Sequence, residues 1–271
     1  MGKRLVLKLM VLPSMSVLVL GAASVSGSAA RAGESAGRTH QGILPPHNPA
    51  ASLWPAPSFM ACTQGDDGAQ CNGVALTAIS HARRALEKLG ATSFSLAGYE
   101  KLTPDEQLFV TVNLERTARG LPPALVLSKS LNTIAQGGAR ADRDPAIADV
   151  PRALPGGGRT AYLGATWSGG WINPLGSDYG WMYDDGPGGT NEGCRTAGSA
   201  LCWGHRDIIL VAFGGSSCGG GQAELAMGAG HAMQAAGWGE SDTEILAGVC
   251  GPAPADAVFT WATAKKLLHI A

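Results

Sequence analysis

The chain has 271 residues, a net charge of −1 and only 15% charged side chains, below the roughly 25% usual in soluble domains. That balance gives no electrostatic footprint for nucleic acid or for an acidic membrane surface. Glycine, at 39 residues, is about twice as frequent as usual, and its clustering after position 155 predicts a loop-rich second half.

Residues 1–30 read as a secretory signal peptide. Lys3, Arg4 and Lys8 give a positive start, Leu9 to Val25 is apolar and free of charge, and Gly27-Ser28-Ala29-Ala30 supplies small residues. Cleavage is expected after Ala29, Ala30 or Ala32. The competing reading is an uncleaved anchor, but the apolar run barely reaches the roughly 18 residues a span needs. No later segment qualifies as transmembrane, so a secreted, extracellular protein with no membrane partner after cleavage is expected. Residues 31–60 hold Pro45, Pro46, Pro49, Pro55 and Pro57 among Ala, Gly and Ser, the composition of a tether; His40 and His47 fall within it.

Residues 61–102 read as a disulfide turn followed by an accessory helix. Asn72 can cap that helix, Ala75, Ile79, Ala82, Leu86 and Leu89 form one face, and Gly90 ends it. His81 lies outside the stripe and reads as a solvated helix residue. The next helix carries the best start signal in the chain. In "TPDE", Thr103 is the N-cap, Pro104 the first helical residue and Glu106 the third, a capping box. Leu108, Phe109 and Val112 form its apolar stripe, and Gly120 with Pro122-Pro123 stops it. A third helix is expected from near Ser128, with Leu131, Ile134 and Ala135 inward, ending before Pro145.

Past Pro145 the segment "YLGATWSGGWINPLGSDYGWMYDDG" reads as loops with a short strand or helical turn near Tyr179 to Tyr183. "IILVAF" at 208–213, "ELAMGAGHAMQAA", "EILAGVC" and "VFTWA" read as strands, with Trp238 in a turn. Helices followed by strands make an α+β pattern.

The six cysteines are even in number and form no CxxC, which reads as disulfides in an oxidising compartment. Short spacing favours Cys62–Cys71 and Cys194–Cys202, leaving Cys218–Cys250.

These motifs resemble the CAP superfamily of cysteine-rich secretory, venom-antigen and pathogenesis-related (SCP-like) proteins, with the secreted bacterial branch the nearest in appearance. Asn113, Arg116, Gly120 and Leu121 in "NLERTARGL", Leu131 and Ala135 in the next helix, "GHRDIIL", "MGAGHA" and "EILAGVC" carry the resemblance over 103–262, in a domain expected over 103–271. It implies an α-β-α sandwich with a three- to four-stranded antiparallel sheet between helices. It also implies a central cleft at His205, with Asp184 or Asp185 as its acidic partner. Trp171 stands where the family's step has a Glu, and residues 140–170 contain no histidine. No metal and no cofactor are therefore expected at His205.

The cleft residues expected are His205, Asp184, Asp185, Glu192 and Trp203. An imidazole titrates near neutrality, and a neighbouring carboxylate orients its tautomer. The bland alternative has His205 bonded to backbone and Arg206–Asp207 paired at the surface. Asp184 with Glu192 could bracket a glycosidic bond, whereas "DDGPGG" is also turn chemistry. Trp167, Trp171, Trp181 and Trp203 either line a groove for a ligand or fill a core poor in aliphatics. His231, inside an apolar strand, reads as a satisfied core residue. There is no HExxH or P-loop. A secreted domain that binds an extracellular sugar, lipid or protein through the cleft is the leading expectation. A cell-wall-directed hydrolase using Asp184 or Glu192 with His205 is the alternative, and a purely structural surface protein a third reading.

Overall fold

The computed structural model describes residues 47–55, 57–60, 69–234 and 239–270, all within one compact unit. The signal peptide, most of the tether, Cys62 and Trp238 lie outside the described residues.

A short helix α1 (Pro57–Met60) precedes α2 (Ala69–Ala82), which widens into a π-helical turn over Arg83–Glu87. Lys88, at φ 61°, closes it in the left-handed region, ahead of the expected stop at Gly90. Asn72 is not a cap. It is buried inside α2, and its Oδ1 accepts from Asn173 Nδ2 at 2.9 Å. Ser95 caps α3 (Leu96–Tyr99). The capping box on α4 (Pro104–Ala118) forms as expected: Thr103 N–H donates to Glu106 Oε2 at 2.9 Å, and Glu106 N–H to Thr103 Oγ1 at 3.4 Å.

The chain then makes an unexpected strand, β1 (Ala124–Ser128), before Ser128 caps α5 (Lys129–Arg140). The longest correction follows. Arg159–Trp171, expected as loop, is the thirteen-residue strand β2. Its alternation is masked by glycine: Leu163 points to one core while Tyr162 points to the other, and Gly164 and Gly169 sit where larger side chains would mark the period. Asn173 caps α6 (Pro174–Tyr183), its Oδ1 accepting from Gly176 N–H at 2.9 Å. "IILVAF" is not a strand. Its first residues end α7 (Gly204–Ile209), and the remainder is buried, mostly irregular chain. Strands β3 (Ala223–Met233) and β4 (Glu240–Cys250) appear as expected. "VFTWA" splits into β5 (Ala257–Thr260) and α8 (Trp261–Leu268), because Thr260 caps a helix at that point, accepting from Thr263 N–H.

The sheet order is β2-β4-β3-β1-β5. Among the described residues the strands make four pairings, of which that of β1 with β3 is parallel and the others antiparallel. The expected three- to four-stranded antiparallel sheet is thus a five-stranded mixed sheet in a mixed α/β architecture. The extra strand escapes notice because it is five residues long and pairs with a segment roughly a hundred residues away. Helix α5 packs Leu131 and Ala135 against Ile245, Ala247 and Val249 on one face. On the other face α4, α6 and α7 bury Leu108, Val112, Tyr179 and Ile209 against Met227 and Leu246.

Residues expected to be accessory belong to the same core: Ala75, Ala78, Ile79 and Tyr99 are buried with α4. The end of the expected tether is also docked. Leu53 N–H donates to Tyr183 O at 2.9 Å, Tyr179 Oη donates to Leu53 O, and Asn48 Nδ2 donates to Asp207 Oδ1 at 2.8 Å. Disulfides join Cys194 to Cys202 and Cys218 to Cys250, which fits an oxidising environment; Cys71 is itself bonded. Among the described residues no helix is long and apolar enough to cross a membrane.

Candidate functional site

Strand β4 sets the electrostatics of the interior. Alternation directs Ser241 and Thr243 to α5, where their hydroxyls donate to Ala139 O and Ala135 O, each at 2.7 Å. Glu240, Asp242 and Glu244 therefore share the opposite face, under the layer that contains α4, α6 and α7. All three are buried. Neither oxygen of Glu244 has a hydrogen-bond partner, and burial pushes its carboxyl up to about 8, although Thr166, Arg116 and His205 act to lower it.

Above this row stands His205, at the start of α7. Asp185 holds it twice. One carboxylate oxygen accepts the His205 backbone N–H at 3.0 Å, and the other lies 2.6 Å from ring Nδ1. Asn191 Nδ2 donates to the same Oδ1 at 2.7 Å. The ring is thereby turned so that Nε2 is left for other partners. Burial lowers the affinity of His205 for a proton, but the Asp185 hydrogen bond and the charges of Asp185, Asp144 and Glu244 outweigh it and raise the pKa.

The motif residues explain why α7 sits here. Asn113 bridges to β1, donating to Ala124 O at 3.0 Å and accepting from Ala124 N–H at 2.7 Å. Arg116 donates to Pro122 O at 2.8 Å, to Val211 O at 3.0 Å and to Ile209 O, so it fastens the chain leaving α7. Arg206 is not in a surface pair with Asp207. It is buried, donating to Met182 O at 2.7 Å and Glu87 Oε2 at 2.6 Å. Glu87 in turn pairs with Arg119, which also binds Glu115. This ionic network ties α7 to α4 and to the end of α2.

His205 opens on a cavity of about 470 Å³ lined by Trp167, Trp171, Trp181, Asp184, Asp185, Thr190, Asn191 and Glu192 among others. Trp171 lies across α6 because Gly180 leaves room: a Cβ there would approach its indole nitrogen to 2.6 Å. Trp167 Nε1 donates to Ser241 Oγ at 2.9 Å. Asp184 turns away from Asp185; its Oδ2 accepts the Thr190 hydroxyl at 2.6 Å, and its Oδ1 is buried without a partner. Burial raises the Asp184 pKa, the Thr190 hydrogen bonds oppose this and Asp185 adds to it. Glu192 is exposed at the rim.

Of the residues singled out in the sequence, the structure brings His205, Asp184, Asp185 and Glu192 together. Trp203 departs from that expectation. It is buried at φ 65°, packs against Gly186, lies 5.8 Å from the Arg206 guanidinium and is not in the cavity lining. Sequence reasoning missed Glu244 and Asp144, although the period-two spacing of Glu240, Asp242 and Glu244 was visible in "ESDTEIL". His231 is half-buried, its Nδ1 2.8 Å from Asp242 Oδ1. Among the described residues, His231, Glu240 and Asp242 are the group whose donor atoms converge closely enough for a metal ion.

Comparison with protein-family models, with curated proteins and with solved structures gives no match to this chain.

Proposed function

We propose that this is an exported CAP-like domain that binds a carbohydrate ligand in the groove beside His205. The observation that carries the reading is one cavity of about 470 Å³ in which Trp167 and Trp171 meet Asp184, Asp185, Asn191, Glu192 and His205. Indole faces pack against the C–H faces of sugar rings, while carboxylates and an amide accept and donate to hydroxyls. A lipid would leave these polar groups without partners. The signal-peptide pattern and the disulfides support export, and the "NLERTARGL" and "GHRDIIL" motifs support the CAP reading.

Retention of the pure chain on immobilised peptidoglycan and on plain polysaccharides tests this. Trp167→Ala is expected to weaken retention at least tenfold. Failure to bind any glycan, with binding to vesicles instead, refutes the carbohydrate reading.

A second reading has its own support. Asp184 is buried with a raised pKa, so it holds a proton to higher pH, and exposed Glu192 borders the same cavity. Two carboxyl groups on one groove, one buried and one exposed, are the parts of glycoside hydrolysis. Release of soluble fragments from peptidoglycan, lost in both Asp184→Asn and Glu192→Gln, would select the hydrolase; binding without release selects the binding domain.

A further inference from the structure

We propose that His231, Glu240 and Asp242 form a site for a divalent transition-metal ion at the end of the β3–β4 pair where Met233 stands opposite Glu240. The site does not depend on the groove at His205 or on what that groove binds.

The placement follows from strand geometry. Glu240 and Asp242 are two apart on β4 and share a face, and the register sets His231 directly across from Asp242. The three donor atoms all lie within 4.8 Å of one another. His231 Nδ1 is 2.8 Å from Asp242 Oδ1 and 3.8 Å from Glu240 Oε2. These separations bracket the edge of about 3.3 Å that metal–ligand bonds of about 2.0–2.1 Å imply for a tetrahedron. One imidazole and two carboxylates suit zinc or manganese, and three protein ligands leave a position for water.

The surroundings ask for a cation. Ser177 Oγ donates to Asp242 Oδ2 at 2.6 Å, which fixes the carboxylate and leaves Oδ1 for an ion. Asp105 on α4 is a third carboxyl in the field of His231; burial pushes it up to about 6, His231 opposing and Asp242 adding. His231 already draws Glu240 and Asp242 toward one point, its Nδ1 lying within ion-pair distance of both carboxylates.

Protons compete with the ion for the imidazole and the carboxylates, so affinity should fall as pH falls.

The test is calorimetric titration of the chelator-stripped full chain with zinc chloride and, separately, manganese chloride. Saturable binding of one ion per chain is expected, with proton release seen as a dependence of the heat on the buffer. Asp242→Asn keeps the shape of the side chain and should abolish binding, as should His231→Ala. Ser177→Ala should weaken it by about 10–100-fold. Circular dichroism of the stripped variants checks that they fold, and if His231→Ala does not, Asp242→Asn decides. No saturable binding of either ion overturns the proposal. So does binding that survives Asp242→Asn, or that is lost on His205→Ala while His231→Ala retains it.

Discussion

Glu244→Gln should make the protein more stable at neutral and alkaline pH and change little in acid. The carboxyl is buried in the sheet with neither oxygen hydrogen-bonded, and its pKa rises from 4.5 to about 8. The folded state therefore holds a proton that the unfolded state releases above its ordinary value. The stability this gives is fully present below pH 4.5, declines as pH rises, and is lost by about pH 8. At 1.36 kcal/mol per unit the whole interval is worth about 5 kcal/mol. Glutamine has nearly the same shape and no proton to lose. Urea unfolding of both proteins from pH 4.5 to 9, with the disulfides intact, gives the difference directly. The variant's advantage should grow by several kcal/mol across that range. Groups that do not feel Glu244, His231 among them, tilt both curves alike and cancel in the difference, whereas His205 feels the Glu244 charge and contributes to it. Parallel curves would refute the reasoning and mean that water or a partner solvates Glu244 in the native state.

Three further outcomes are expected. Thr103→Ala removes the N-terminal cap of α4 and should cost about 1 kcal/mol in urea unfolding. Arg116→Met leaves the carbonyls of Pro122, Ile209 and Val211 without their buried donor, and should cost about 3–5 kcal/mol in the same assay while loosening the groove. The His205 ring, followed by NMR, should titrate above its ordinary value of 6.5, and Asp185→Asn should move the midpoint down; its raised pKa contributes stability below pH 6.5 that is lost as pH rises through the folded value.

What the sequence revealed depended on how local the cause was. The start of α4 is written in four residues, and Ser128 announces α5 just as directly, because caps satisfy amides within one turn. Strand β2 was invisible for the opposite reason: its identity comes from lying beside β4, and its own small residues carry little period-two signal. "IILVAF" was ambiguous because a run of apolar side chains has no period; the anchoring of its carbonyls by Arg116, over ninety positions earlier, decides its path. The CAP resemblance left Asp184 or Asp185 as the acidic partner of His205, and the hydrogen bonds to His205 come from Asp185. The carboxylate row on β4 was overlooked because Glu244 begins "EILAGVC", where the apolar letters dominate. Trp203, expected among the cleft residues, is turned beneath Arg206 by its left-handed backbone.

The parallel pairing of β1 with β3 has a consequence for how the chain is made. Helices α4 and α5, with β1 between them, are synthesised long before β3 and β4, the strands that finally separate the two helices. Loop closure over roughly a hundred residues must precede the contacts that reward it. A nascent chain cut off before residue 223 would thus carry two apolar helix faces with no sheet to cover them. Such a species is prone to aggregate. The β3–β4 pairing, bracketed by the Cys218–Cys250 bond, is by contrast local in sequence, so it closes a much shorter loop than the pairing of β1 with β3.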